Sequence, residues 1–273
     1  MPSYVVTGAS RGLGYALVKV LASNPLNTVI GLVRDATATR ARLDADGVLN
    51  VHVVVADICD DTALRKAAEE TKRLLGGAGL DVLINNAAYV SKITVLTTFK
   101  DYEHDAQTVL EDAQKSFDIN VSGVLKTVYA FLPLLREGNL KKIVGVSSGM
   151  GDIDLINGIN LANAAPYAIS KAALTTMFAK FNAAYHDEGL LFFTICPGLI
   201  DTAEGNEGNT TLSNDDLSRL QTINAKFEEY APGFKAADPI AAAESFLAAV
   251  ARSSLEKGYG GSFFSHNGTR KYM

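Results

Sequence analysis

The residues with the clearest capacity for chemistry are Tyr167 and Lys171, in the run Tyr167-Ala168-Ile169-Ser170-Lys171. On a helix this spacing puts a phenol and an ammonium one turn apart on one face. The positive charge favours the phenolate, lowers the tyrosine pKa toward working pH and makes the phenol a usable proton donor. An isolated pair of this kind is more often a half-buried tyrosine beside a solvated lysine. Here it is accompanied by the serine pair Ser147-Ser148, by Asn85-Asn86, and by the turn Thr7-Gly8-Ala9-Ser10-Arg11-Gly12-Leu13-Gly14.

That turn follows an apolar run over residues 4–6 and precedes a helical pattern. Closely spaced glycines between a strand and a helix let backbone approach a diphosphate, and the helix N-terminus aims N–H groups and dipole at its charge. Gly8, Gly12 and Gly14 alone would need only a tight turn with positive φ. Their place in a strand–turn–helix unit points to a nucleotide.

The elements that must position these groups alternate along the chain. Strands are expected over residues 4–6, 28–33, 51–56, 81–84, 142–146, 191–196 and 261–264, with the valines of 51–56 buried on both faces. Helices are expected after the glycine turn, before residue 51, and over 61–75, 105–136, 166–186, 215–230 and 239–250. The 105–136 helix contains Asn120 and breaks near Pro133. Residues 90–99 and 152–165 read as loops, and Pro166 suits a helix start. Such alternation implies right-handed crossovers and an α/β, doubly wound parallel sheet with helices on both faces, binding its ligand at the carboxyl ends of the strands. Asp57, Asn85, Ser147, Ser148 and Pro197-Gly198 all fall at such ends.

Composition narrows the class. The chain has 273 residues, 48% of them apolar, enough for one large domain. No apolar run approaches the ~18 residues that span a bilayer, and Met1-Pro2-Ser3 enters the first strand without a signal peptide, so a soluble, cytoplasmic protein is expected. Cys59 and Cys196 make no disulfide framework and have no metal-ligand spacing to His52, His104, His186 or His266, so no metal is expected. A net charge of −5, with 25 scattered basic residues, argues against a nucleic-acid partner.

Taken together, these motifs resemble the short-chain dehydrogenase/reductase family over nearly the whole chain. The matching residues are the glycine turn, Asp57, Asn85-Asn86-Ala87, Asn120-Val121, Ser148, Tyr167 with Lys171, and Pro197-Gly198 with Thr202. The resemblance, which extends to fungal-type ketoreductases and the carbonyl-reductase branch, implies a Rossmann fold with a seven-stranded parallel sheet. It also implies a catalytic tetrad of Asn120, Ser148, Tyr167 and Lys171, and a homodimer or homotetramer. Lys171 would bond the nicotinamide ribose and Asn120 would hold a water relaying protons to it. The family pattern chooses Ser148 over Ser147, which the residues alone leave open. For the cofactor it implies Gly8, Ser10, Arg11, Gly12, Leu13, Gly14, Arg34, Asp57, Ile58, Asn85, Ala87, Pro197, Gly198, Ile200 and Thr202 beside Tyr167 and Lys171. Asp57, otherwise a simple helix cap, would contact adenine. Two departures stand out: Ala88 replaces the usual Gly, and Ser148 lies farther before Tyr167 than is usual, so the loop between them should border the substrate.

An acid ending the second strand selects NAD, whereas a nearby Arg accommodates the 2′-phosphate of NADP. Val33 occupies the acid's place, Arg34 follows and Arg11 lies in the glycine turn, so NADP(H) is expected; Asp35 reaching the ribose is the alternative. The expected activity is NADPH-dependent reduction of a hydrophobic, aromatic or polyketide-like ketone or aldehyde, a small-molecule partner. A non-turning sensor, or an isomerase or dehydratase, are the alternatives. Residues 199–232 are expected to form a substrate lid, with Gly205 and Gly208 as hinges and Leu217, Leu220, Ile223 and Phe227 as its cover, facing Met150, Ile153, Leu155, Tyr89 and Val90. Core packing is the other reading of that apolar stripe.

Overall fold

Strand β1 (Ser3–Thr7) enters the glycine turn and helix α1 (Gly12–Ala22) leaves it, the first of the repeating units that build this chain. The computed structural model describes residues 1–201, 212–233 and 235–272. The order continues β2 (Thr28–Val33), α2 (Ala36–Ala45), β3 (Val51–Val55), α3 (Asp61–Leu74) and β4 (Val82–Asn85). Then come α4 (Ala106–Phe117), α5 (Val124–Glu137), β5 (Lys142–Val146), α6 (Ile153–Ile159), α7 (Ala165–Tyr185), β6 (Leu191–Cys196), α8 (Asn214–Tyr230), α9 (Pro239–Arg252) and β7 (Phe263–Ser265).

The seven strands pair in parallel in the order β3-β2-β1-β4-β5-β6-β7. The winding reverses between β1 and β4, and a crevice opens there at the strands' carboxyl ends. One face of the sheet buries Val6, Ile84 and Ile195 against Leu17 and Val18 of α1 and Phe246 of α9. The other buries Val5, Leu83 and Phe192 against Leu64 of α3, Phe131 of α5 and Phe178 of α7. Phe181 stacks on Phe192 at 5.0 Å between centroids, and Phe192 and Phe193 are both fully buried in the packing of the sheet. Among the described residues no helix is long and apolar enough to cross a membrane.

Three local expectations are corrected. Strand β3 is not buried on both faces: His52 is exposed and Val55 is 58% exposed. It forms the sheet edge, where the core covers Val51 and part of Val53 on one face and Val54 on the other. The helical stretch before β5 does not break at Pro133, which lies inside α5. It breaks at a π turn over Asp118–Gly123, where the side chain of Asn120 finds partners outside the helix. The stretch after Ser148 is not a plain loop, because Asp152 caps the short helix α6 by accepting from the Leu155 N–H at 3.0 Å.

Candidate active site

The crevice is built by close backbone approach. Thr7, ending β1, accepts with its hydroxyl from the N–H groups of Asn86 at 3.0 Å and Ala87 at 2.9 Å, while Asn86 Nδ2 donates to the Thr7 carbonyl at 2.9 Å. A Cβ on Gly14 would fall 2.2 Å from the Gly8 carbonyl oxygen, and one on Gly8 2.9 Å from the Ala87 Cα. Gly8 and Gly12 also have positive φ, 67° and 54°. Glycine is therefore required by space at position 14 and by both space and conformation at position 8. Leu13 is buried in the core beneath the turn, while Ser10 and Arg11 face outward at the start of α1.

Around this turn the structure gathers positive charge. Arg34 is exposed directly after β2. The neighbouring Asp35 is engaged as the cap of α2, accepting from the Ala38 N–H at 3.0 Å. Arg42, a residue that sequence reasoning missed, lies 4.0 Å over the Tyr15 ring and donates to the Ser10 carbonyl at 3.4 Å. Its distance from the motif along the chain gives no local signal. After β3, Asp57 accepts from the Cys59 N–H at 2.9 Å, and Asp60, not Asp57, caps α3. Ile58 is buried and reaches Gly123 of the π turn.

Ser148 and Tyr167 come together from the end of β5 and the first turn of α7. The Ser148 hydroxyl lies near enough the Tyr167 phenol to draw its pKa down. Ser147 is turned away, donating to the Lys171 carbonyl at 3.2 Å and pairing with the Thr175 hydroxyl at 3.0 Å. Lys171 is buried, its Nζ donates to the Val146 carbonyl at 2.7 Å and lies 5.5 Å from the Tyr167 ring centroid. Burial lowers its pKa to about 8. For Tyr167 the direction is opposite to the sequence expectation. Burial pushes the phenol well above its usual range, with Cys196 adding to this and the Ser148 hydrogen bond opposing it. The desolvation of the phenol outweighs the ammonium, whose hydrogen bond goes to the Val146 carbonyl instead. The phenol therefore holds its proton at neutral pH.

Asn120 closes the group. Its Oδ1 accepts from the Tyr89 N–H at 2.7 Å, and its Nδ2 donates to the Tyr89 carbonyl at 3.0 Å and the Ser170 hydroxyl at 2.9 Å. At the carboxyl end of β4, Asn85 donates to the Val144 carbonyl at 3.3 Å while its buried Oδ1 has no partner within the described residues. Beyond β6, Gly198 has φ of 82°, and Ile200 makes a parallel bridge to Ala237. Thr202, Gly205 and Gly208 lie outside the described residues.

Of the expected substrate-side residues, Ile153 and Val90 are exposed, Met150 and Tyr89 half-buried, and Leu155 is instead buried with Cys196 and Tyr272. No residue of α8 is buried, and Leu217, Leu220, Ile223 and Phe227 belong to neither large core cluster. The helix is tied by Arg219, donating to Asp101 at 2.9 Å, and by Lys226, donating to the Asn160 carbonyl at the end of α6.

Residues 3–212 match the short chain dehydrogenase family. The chain is 44% identical to the short-chain dehydrogenase/reductase AacuF of Aspergillus aculeatus and 40% identical to the short chain dehydrogenase virK of Hypocrea virens, over the full length of both chains in each case. Among solved structures it resembles the NADPH-bound carbonyl reductase from chicken fatty liver, with a TM-score of 0.74 and 24% identity over 98% of each chain. The carbonyl reductase Sniffer of D. melanogaster gives a TM-score of 0.74 at 20% identity, again over 98% of each chain.

Proposed function

This chain belongs to the short-chain dehydrogenase/reductase family of oxidoreductases, and from that premise we propose that it reduces a hydrophobic ketone or aldehyde to an alcohol with NADPH. One observation carries the reading: Ser148 and Tyr167 meet from the end of β5 and the first turn of α7, with Lys171 Nζ 5.5 Å from the phenol ring, beside a glycine crevice. The crevice suits a dinucleotide, because the glycine turn leads with positive φ at Gly8 and Gly12 into the N-terminus of α1, and Arg11, Arg34 and Arg42 flank it on the surface. Arg34 and Arg11 would hold the 2′-phosphate, and Asp35, spent on its helix cap, leaves no acid facing it from the start of α2. A nicotinamide held there would supply the hydride chemistry at the carbonyl carbon.

The chain's own residues do the rest. Ser148 donates a hydrogen bond to the substrate oxygen and holds it against Tyr167, whose proton moves to that oxygen as negative charge develops. Lys171 stabilises the resulting phenolate and meets the nicotinamide ribose. Both N–H hydrogens of the Asn120 amide are already engaged, so the relaying water would be held by the backbone of the π turn. One domain would carry these groups, and α8 would cover the substrate side.

The test is oxidation of NADPH against a panel of aryl ketones, quinones and polyketide-like ketones, with Tyr167→Phe as the control. The substitution should lower turnover by about a hundredfold or more with NADPH affinity kept. Tight NADPH binding without oxidation across the panel would instead mark a binding protein, and near wild-type turnover in Tyr167→Phe would remove the phenol from the mechanism.

A further inference from the structure

The segment after β7 returns to the loop that carries Ser148. The chain turns tightly there, with the Gly268 N–H donating to the Ser265 carbonyl and the Ser265 N–H to the Thr269 carbonyl, both at 2.7 Å. It delivers Tyr272 into the interior, where the residue is 3% exposed. The ring stacks on Phe263 at 4.9 Å and shares a small apolar cluster with Leu155 and Cys196.

Two contacts reach the catalytic loop. A Cβ on Gly149 would lie 2.7 Å from the Tyr272 Cβ, so the tyrosine presses directly on the backbone next to Ser148. The Tyr272 phenol donates to Asp152 Oδ2 at 2.8 Å, while Oδ1 of the same carboxylate caps α6. The opposite end of the excursion between Ser148 and Tyr167 is anchored separately. There the Ala164 N–H donates to the carbonyls of Thr94 and Thr97, each at 3.2 Å, and Asn163 Nδ2 to that of Val95 at 2.9 Å.

Ser148 itself has slight local support. Its Oγ accepts from the Met150 N–H at 3.2 Å, and the Gly149 N–H donates to Cys196 Sγ at 3.3 Å, a weak acceptor. A hydroxyl that must meet a reacting oxygen tolerates little displacement. We propose that Tyr272 is a positioning residue for the carbonyl site: its phenol and ring fix the 149–152 turn against β6 and thereby hold Ser148 at its distance from Tyr167. A ring serving packing alone would need no hydroxyl, and this hydroxyl is bonded to the carboxylate that starts α6.

The proposal rests on the carbonyl-reduction reading, and two measurements on Tyr272→Phe keep them apart. In the first, kcat/KM for an aryl ketone should fall about tenfold with NADPH affinity unchanged, and in a Ser148→Ala background the same substitution should have almost no further effect. Full kcat/KM, or an equal loss in both backgrounds, would show that the tyrosine merely packs. Wild-type protein inactive on every carbonyl would sink the activity reading instead, and the second measurement then decides. Amide hydrogen exchange should quicken at Met150, Gly151 and Leu155 while Val144 and Ile195 in the sheet stay protected; unchanged exchange at the loop overturns the proposal.

Discussion

Asn120 and Tyr89 clamp each other through amide and backbone, the Tyr89 N–H donating to Oδ1 at 2.7 Å and Nδ2 donating back to the Tyr89 carbonyl at 3.0 Å. This side chain ties the end of the β4 segment to the π turn and, through Ser170, to α7. Removing it takes away three hydrogen bonds, two to the part-buried Tyr89 backbone and one to the Ser170 hydroxyl, which keeps its own bond to the Tyr167 carbonyl. Asn120→Ala is expected to cost about 2–4 kcal/mol by urea denaturation, on the usual scale for lost buried hydrogen bonds. Asn120→Asp, which keeps the acceptor and loses both donors, should fall between the two proteins.

On the proposed mechanism the Lys171 charge would set an upper pH limit on reduction. Burial lowers this pKa to about 8, so the ammonium is present below that value and lost above it. At pH 7 about nine in ten molecules carry the charge and at pH 9 about one in ten. The kcat/KM profile should fall with an apparent pKa near 8 as pH rises. In Lys171→Arg the descending limb should move to higher pH, and an unmoved limb would assign it to another group.

Cofactor choice is read at the arginines. Arg34→Ala should weaken NADPH by about 10–100-fold, the range for a lost charge-assisted hydrogen bond, and leave NADH unchanged. Arg42→Ala should weaken NADPH less, since this guanidinium reaches the turn through the Ser10 carbonyl. Calorimetric titration with both cofactors checks each, and a wild-type preference for NADH would overturn the assignment.

The glycine turn is closed to any side chain at position 14. The added Cβ of Gly14→Ala would meet the Gly8 carbonyl oxygen at 2.2 Å and Asn86 Nδ2 at 2.4 Å. A cost of about 3 kcal/mol is expected, with loss of cofactor binding. At Gly158 a Cβ meets nothing within 4 Å, so Gly158→Ala should be neutral or slightly stabilising, within about 1 kcal/mol. Parallel denaturation curves of the two variants make the comparison.

The strand–helix alternation, the glycine turn and the Tyr167/Lys171 pair were legible in the amino-acid sequence because each rests on contacts a few residues apart. Apolar periodicity placed the seven strands, and residue type at the strand ends marked the crevice. What the chain alone could not decide was set by partners distant along it. Pro133 looked like the helix break, but the break lies at Asn120 because Tyr89 and Ser170 supply the hydrogen bonds that hold a π turn there. The valines of β3 looked doubly buried, yet edge or centre is a property of strand order. The Tyr167 pKa turned upward because desolvation depends on what closes over the phenol, which a spacing of four residues does not contain. Arg42 reached Ser10 and Tyr272 reached Asp152 across 32 and 120 residues. Local sequence carries no trace of such contacts, since the packing of whole elements brings them together.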